Sequence, residues 1–128
     1  MDIIEVLQRT LDKSRDKVLF AYLFGSLAES RGGPLSDVDV AVFLDDECAA
    51  NHWDVRMTLQ ADLSRALGRN DVDVVILNHT HNLMLLDEII RRGVILLDQD
   101  QQVRVDFELK TLHRAIDFKI QRATTIGF

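Results

Sequence analysis

The sequence contains little cysteine and proline, and it lacks any long hydrophobic segment. Cys48 is the only cysteine among the 128 residues, so an intramolecular disulfide is excluded and a reducing compartment is favoured. No apolar run approaches the roughly 18 residues that a membrane-spanning helix requires. The acidic N-terminal residues 1–5 lack the basic start and apolar stretch of a signal peptide. We therefore expect a cytoplasmic protein that does not associate with membranes.

Basic residues are also too few to favour nucleic acid as a partner. Lysine and arginine number 15 against 21 aspartates and glutamates, which gives a formal net charge of −6. Proteins that hold nucleic acid non-specifically need a basic face, so we expect no direct nucleic-acid binding. An acidic site can still bind a phosphate ligand when divalent cations accompany it. With 47% apolar residues the chain can bury a core, and its length predicts a single domain over residues 1–128.

Apolar residues alternate between helical spacing and short strand-like runs along the chain. The helical pattern covers residues 2–14, 51–67, 81–92 and 101–124, and the strand pattern covers 18–24, 37–44, 71–77 and 94–97. This order predicts a layered α/β domain that ends in a C-terminal helix. Trp53 and Met57 are expected to lie in the core, whereas His79 and His81 are expected to be surface polar residues.

The last helix carries two apolar faces. A stripe at helical spacing is expected to face the core, and it consists of Val105, Leu109, Leu112, Ile116 and Ile120. Phe107 and Phe118 lie off this stripe. Their face is either an interface or a part of the helix that packs more deeply into the core, and the pattern leaves both interpretations open.

Two carboxylates at the start of the second strand have no evident structural purpose. Asp37 and Asp39 are two residues apart, so their side chains point to the same face of the sheet, and the apolar Val38 and Val40 point to the other. Neighbouring carboxylates repel each other unless a cation lies between them. Mg²⁺ characteristically binds one or two carboxylates together with substrate phosphates. This pair therefore indicates a metal site.

The third strand offers a further carboxylate on one face. Asp71 and Asp73 alternate with valines, and one of them would meet Asp37 and Asp39 if the two strands are neighbours. Three carboxylates can hold two metal ions about 3.5–4 Å apart. We favour Asp73 over Asp71 as the third ligand, because Asp73 lies deeper in the strand and Asp71 is close to the preceding turn.

The end of the first strand provides a candidate phosphate site. Gly25 allows the backbone to approach a ligand closely, and Ser26 adds a hydroxyl donor at the start of a possible short helix. A Gly-Ser pair alone is weak evidence. Gly25-Ser26, ten intervening residues and then Asp37-Val38-Asp39 together match the GSX10DXD pattern of the DNA polymerase beta-like nucleotidyltransferases. Over essentially its whole length, the chain resembles the minimal nucleotidyltransferase (MNT) antitoxins of HEPN/MNT toxin–antitoxin systems.

The resemblance implies a small mixed sheet of about four strands with helices packed on it, and it implies a role for each motif residue. Gly25 and Ser26 would bind the nucleotide's terminal phosphates. Asp37, Asp39 and Asp73 would hold two Mg²⁺ ions, for which Mn²⁺ can substitute, and Asp73 would help to activate the attacking hydroxyl. One departure concerns the Arg-Gly pair of many relatives, which comes later here, at Arg31-Gly32. Arg31 is therefore a weaker candidate for a phosphate contact.

The implied reaction is transfer of AMP from ATP to a tyrosine hydroxyl of a cognate HEPN ribonuclease toxin, with release of pyrophosphate and neutralisation of the toxin. Such a protein adenylyltransferase could form a hetero-oligomer with the toxin. Two alternatives remain. The first is a non-catalytic antitoxin acting by occlusion, with the Phe107/Phe118 face as its first candidate interface. The second is a small-molecule nucleotidyltransferase, which the single short domain disfavours because such relatives generally need a second domain to shape the acceptor pocket.

Overall fold

The computed structural model describes residues 2–29 and 37–125, and it has the predicted alternation of helices and strands. The helices are α1 (Ile3–Asp12), α2 (His52–Leu67), α3 (Leu83–Arg92) and α4 (Gln101–Thr125), and the strands are β1 (Val18–Phe24), β2 (Val38–Leu44), β3 (Val72–Ile76) and β4 (Val94–Asp98). Short 3₁₀ turns, Asp46–Asn51 and Leu77–His79, precede α2 and follow β3. The predicted elements are thus present, and only their ends differ slightly.

Polar caps and one glycine set several helix ends. The Asp2 carboxylate accepts a hydrogen bond from the Ile4 N–H, and the Asn82 side chain accepts one from the Leu85 N–H, so both helices start where an N-cap residue satisfies a free donor. Gly68 ends α2 with φ +67°, a left-handed conformation that favours glycine. These local signals explain why the helix positions follow from the sequence.

The four strands form one mixed sheet in the order β3-β2-β1-β4. β1 runs antiparallel to both β2 and β4, whereas β2 and β3 are parallel. The predicted mixed α/β fold is therefore confirmed. β3 lies at one edge of the sheet, directly beside the strand that carries Asp39.

Helices cover the two faces of the sheet with separate apolar clusters. α1 and α2 pack on one face, where the alternate valines of β2 and β3 meet leucines of both helices, among them Leu7, Leu11, Leu59 and Leu63. α3 and α4 cover the other face around Phe20, Tyr22, Ala41, Leu86 and Ile89. Each such side chain contributes about 1.5–3 kcal/mol by leaving water. The odd-numbered positions of β2 lie on this second face, where Ala41 and Phe43 pack in the cluster and Asp39, at the start of the strand, is half-buried.

The buried face of α4 differs from the predicted stripe. Leu109, Ile116 and Ile120 are 51%, 45% and 59% exposed, whereas Thr111 and Ala115 are buried. The prediction was wrong for these three residues, because a helix can come closest to its neighbours along small side chains. A pattern of large apolar residues does not reveal which side of the helix makes that close approach. Among its exposed residues, the second half of α4 therefore displays large apolar side chains.

Phe107 is partly buried and packs against the second apolar cluster. Its ring packs against Phe20 and Phe43, with centroid separations of 5.6 and 5.4 Å. Part of this face is therefore used within the fold, whereas Phe118 is 37% exposed, and its role as an interface stays a prediction. The expected burial of Trp53 and Met57 was also wrong, since these side chains are 66% and 45% exposed on α2.

A buried polar network attaches α4 to the sheet. The Tyr22 hydroxyl donates to Glu108 Oε1 at 2.7 Å, and Arg104 bridges Glu108 and Asp98 at 2.7 and 2.9 Å. Burial raises the pKa of Tyr22 far above its ordinary value, and the carboxylate of Glu108 raises it further. Tyr22 therefore remains a hydrogen-bond donor at any physiological pH.

Tyr22→Phe is expected to lower the free energy of unfolding by about 1 kcal/mol, the usual net contribution of such a hydrogen bond. Glu108 keeps its ion pair with Arg104 in the variant, so a larger loss is not expected. Urea denaturation of both proteins measures the difference. An unchanged midpoint would show that the hydroxyl contributes nothing to the attachment of α4.

None of the helices within residues 2–29 and 37–125 is both long enough and apolar enough to cross a membrane.

Candidate active site

The candidate site begins at the first residues of β2. Asp37 lies just before the strand and is exposed, whereas Asp39 is half-buried within it. Burial raises the pKa of the Asp39 carboxyl above its usual value, and the negative charges of Asp73 and Asp37 raise it further. The three carboxylates therefore lie near enough for Asp73 and Asp37 to disfavour the charged form of Asp39, and their role as metal ligands stays a prediction.

The parallel register of β2 and β3 brings Asp73 beside Asp39. The two residues are direct partners in the pairing, with Val40 and Val74 next along the strands. Asp73 is exposed and forms an ion pair with Arg56 of α2 at 3.6 Å. Sequence reasoning missed Arg56, because no motif marks it and its approach to Asp73 depends on how α2 packs on the edge strand.

Gly25 lies directly against Asp39 at the end of β1. The antiparallel register pairs Phe24 with Asp39, and Gly25 then turns the chain with φ +81°. A Cβ atom at this position would lie 2.6 Å from Asp39 Oδ2, closer than real contacts allow. Glycine is therefore needed for both the backbone conformation and the space it leaves beside the carboxylate.

Ser26 opens a helical turn that follows Gly25. The Gly25 carbonyl accepts hydrogen bonds from the N–H groups of Ala28 and Glu29 at 3.2 and 3.3 Å, which closes the turn. An ion pair of 2.9 Å between Glu29 and Arg92 ties this turn to the end of α3. The predicted phosphate residues are thus held next to the carboxylates of β2.

Asp71 forms an ion pair with Arg69. Arg69 donates two hydrogen bonds to its carboxylate, Nε to Oδ1 at 2.8 Å and Nη2 to Oδ2 at 2.6 Å. The hydrogen bonds from Arg69 lower the pKa of Asp71 below its ordinary value. Of the two carboxylates left open by the sequence, Asp73 is therefore the one whose position opposite Asp39 fits the third ligand.

Asp71→Asn and Asp73→Asn are expected to have opposite effects. Asp73→Asn should lose nucleotide transfer, whereas Asp71→Asn should keep transfer and lose stability. Because the folded pKa of Asp71 is lowered, its ion pair stabilises the protein above the ordinary pKa of aspartate and this stability is lost as the pH falls through the folded pKa. Thermal melts at several pH values and a transfer assay separate the two. Loss of transfer in Asp71→Asn alone would reverse the assignment.

The donor set fits divalent magnesium, although the described residues contain no group of three or more His, Cys, Asp or Glu side chains already positioned around a metal. Hard cations prefer carboxylate oxygens, and burial together with the charges of Asp73 and Asp37 raises the pKa of Asp39, so a bound cation would favour its charged form. Asp73 also forms the ion pair with Arg56, so a metal ion would compete with this arginine for the carboxylate. Arg31 lies outside the described residues.

Histidine is arranged differently from the sequence prediction. His79 is exposed, as expected, but its Nε2 lies 2.5 Å from Nδ1 of His52, which is buried at the start of α2. His81 is exposed as predicted. No spacing signal could have identified His52, because the fold alone joins it to His79.

Comparison with known proteins gives a family and a set of similar structures. The family model described as "Polymerase beta, Nucleotidyltransferase" matches residues 3–102. No curated protein matches the chain at a significant level. A chain in the crystal structure of a toxin–antitoxin with AMP-PNP is 28% identical, with a TM-score of 0.72, and the alignment covers 93% of this chain and 94% of that one.

Two further structures are similar over nearly the whole chain. One contains the tri-AMPylated Shewanella oneidensis HEPN toxin in complex with MNT antitoxin; its matching chain is 26% identical, with a TM-score of 0.67 and coverage of 96% and 95%. The other is the toxin–antitoxin MntA-HepT, at 25% identity, a TM-score of 0.67 and coverage of 97% and 93%. These likenesses confirm the resemblance to MNT antitoxins that the motif indicated. Since the family match includes every strand of the sheet and covers well over half of the chain, the protein belongs to the polymerase beta nucleotidyltransferase family.

Proposed function

We propose that this protein is an antitoxin that transfers AMP from ATP to a tyrosine hydroxyl of a HEPN-type ribonuclease toxin and so neutralises it. The observation that carries the proposal is the contact of Gly25 with Asp39 directly opposite Asp73, which joins the three parts of the motif in one place. The similar structures supply the context, since one holds AMP-PNP and another an AMPylated HEPN toxin.

Each group has a distinct task in this reaction. The turn at Gly25 and Ser26 binds the triphosphate, and Asp37, Asp39 and Asp73 would hold two Mg²⁺ ions. Bound magnesium stabilises the negative charge that develops on the phosphoryl oxygens. Asp73 accepts the proton of the acceptor hydroxyl, whose oxygen then bonds to the α-phosphorus while the bond to the β-phosphate oxygen breaks. The products are a phosphodiester-linked AMP on the acceptor and pyrophosphate.

AMP on the toxin blocks it by charge and bulk. A phosphate attached near a ribonuclease site occupies the region where the RNA backbone must lie, and the two negative charges repel. The net charge of −6 makes this chain itself a poor ligand for RNA, so covalent modification explains neutralisation better than competition for nucleic acid. One enzyme molecule can then silence many toxin molecules without staying bound.

ATP is expected to raise the melting temperature of the protein only when Mg²⁺ or Mn²⁺ is present. Without metal, the carboxylates repel the triphosphate, as they already repel one another at Asp39. At a ligand concentration of 100 times Kd, binding adds about 2.7 kcal/mol of stability, which corresponds to a shift of several degrees. Equal shifts with ATP in Mg²⁺ and in EDTA would contradict the metal-dependent site.

The proposed partner is tested by co-expression of this chain with a candidate HEPN-type toxin. Intact-mass spectrometry should show the partner carrying one or more AMP groups, and these should vanish with Asp39→Asn. A partner that is neutralised by wild-type protein but remains unmodified would favour the alternative of an antitoxin acting by occlusion.

A further inference from the structure

A groove runs along the outer edge of β3, next to the candidate site. It has a volume of about 590 Å³ and lies between the start of α2, the strand residues 74–76 and the segment 79–80. Because β3 is the edge strand, this groove is open to the side of the sheet opposite β4. None of the motif residues lines it.

Arg56 connects the groove to the candidate site. Its Nε donates to the Val74 carbonyl at 2.7 Å, and its Nη2 lies 3.6 Å from Asp73 Oδ1. The same guanidinium group lies 5.7 Å from the ring centroid of Trp53. Contacts thus run from Trp53 through Arg56 to Asp73, the third carboxylate of the candidate site.

Two side chains of the groove are unusual: one is apolar and exposed, and the other is buried with a polar atom that is unpaired within the described part of the chain. Trp53 is 66% exposed, an unusual position for the largest apolar side chain. His52 is buried, and its Nε2 meets no hydrogen-bond partner among the described residues, which carries an energetic cost. The exposed indole of Trp53 favours an occupant with an aromatic surface, whereas the buried Nε2 of His52 is closed to the groove.

We propose that this groove is the acceptor subsite and that its occupant is a tyrosine side chain, with its flanking backbone, of the partner protein. The inference rests on the proposed function, which requires the attacking hydroxyl to reach Asp73. The triphosphate occupies the side of Gly25 on β1, so the acceptor approaches from the opposite side, along β3. Trp53 and the Arg56 guanidinium offer the flat aromatic and cationic surfaces on which a phenol ring stacks.

Trp53 is the only tryptophan in the chain, so its fluorescence reports directly on the groove. With Mg²⁺ and a non-hydrolysable ATP analogue present, N-acetyltyrosinamide should change the tryptophan emission saturably when excitation is above the tyrosine band. N-acetylserinamide, which carries a hydroxyl without the ring, should leave the emission unchanged. An emission that does not respond to the tyrosine derivative, or that responds equally to both, overturns the assignment of the occupant.

Substitution tests the subsite with the whole partner. Trp53→Ala should raise the KM for the HEPN-type partner about tenfold or more, as loss of an aromatic anchor does, and should leave the Mg²⁺-dependent thermal shift with ATP intact. Trp53→Phe should restore much of the loss. Leu109→Ala, which removes a half-exposed apolar side chain from α4, is the matched control and should behave as the wild type.

The outcomes separate this inference from the proposed function. If the wild type modifies its partner and Trp53→Ala does so with the same KM, the subsite is wrong and the proposed function stands. If the wild type binds ATP with magnesium but transfers nothing to the partner, the proposed function itself fails.

Discussion

Asp39→Asn is expected to abolish nucleotide transfer and to leave the fold intact. The change keeps the size of the side chain but removes the charge from the carboxylate that lies closest to Gly25. Metal ions contribute several kcal/mol to the stabilisation of a phosphoryl transition state, and each 1.36 kcal/mol is a factor of ten in rate. We therefore expect transfer of an α-phosphate label to fall by at least about a thousandfold, and the same for Asp37→Asn.

The stability of Asp39→Asn distinguishes loss of catalysis from loss of folding. The folded pKa of Asp39 is raised by burial and by Asp73 and Asp37, so its charged form destabilises the metal-free fold at neutral pH. This cost disappears as the pH falls through the raised pKa towards the ordinary value of aspartate. The variant should therefore melt at the same or a higher temperature at pH 7, with the difference shrinking in acid. Undiminished transfer by the Asp37→Asn, Asp39→Asn double variant would refute the catalytic assignment.

Gly25→Ala is expected to reduce transfer about a hundredfold. The new Cβ would lie 2.6 Å from Asp39 Oδ2, so either the turn or the carboxylate must move. A displacement of about 1 Å at a reacting centre can lower the rate by that factor. The left-handed φ of +81° adds a strain of roughly 1–2 kcal/mol for a residue with a side chain.

Gly68→Ala is the matched control for this substitution. Gly68 has a similar φ of +67°, but nothing lies within 4 Å of a Cβ added there. The two variants should therefore lose comparable stability through backbone strain, while only Gly25→Ala loses transfer. Equal transfer rates in both variants would show that the contact between Gly25 and Asp39 has no role in the site.

The spacing of the motif residues and the strand face that they share could be predicted, because both depend only on nearby sequence. The spacing from Gly25-Ser26 to Asp37-Val38-Asp39 is visible in the sequence, and alternation along a strand predicts which carboxylates share a face. The sequence does not determine that β2 and β3 are neighbours. In the fold the two strands are adjacent, and their register pairs Asp39 with Asp73. A strand pattern alone contains no information about which strands are adjacent.

The groove and the face of α4 could not be predicted, because both depend on packing between distant segments. Arg56 reaches Asp73 only because α2 lies along the edge strand, and Trp53 is exposed for the same reason. On α4, the small side chains of Thr111 and Ala115 face inward although larger apolar residues were available. Helical periodicity identifies apolar faces, but it does not determine which face lies closest to the neighbouring elements.

The most direct test of metal-dependent nucleotidyl transfer is to follow the α- and γ-phosphates of ATP separately. The purified protein is incubated with the HEPN-type toxin proposed as its partner, in Mg²⁺ or in EDTA, with ATP labelled at either the α- or the γ-phosphate. We predict that the α label becomes covalently bound to the partner only with Mg²⁺, and that the γ label is released in pyrophosphate. Covalent attachment of the γ label, or attachment of the α label that persists in EDTA, would contradict the account.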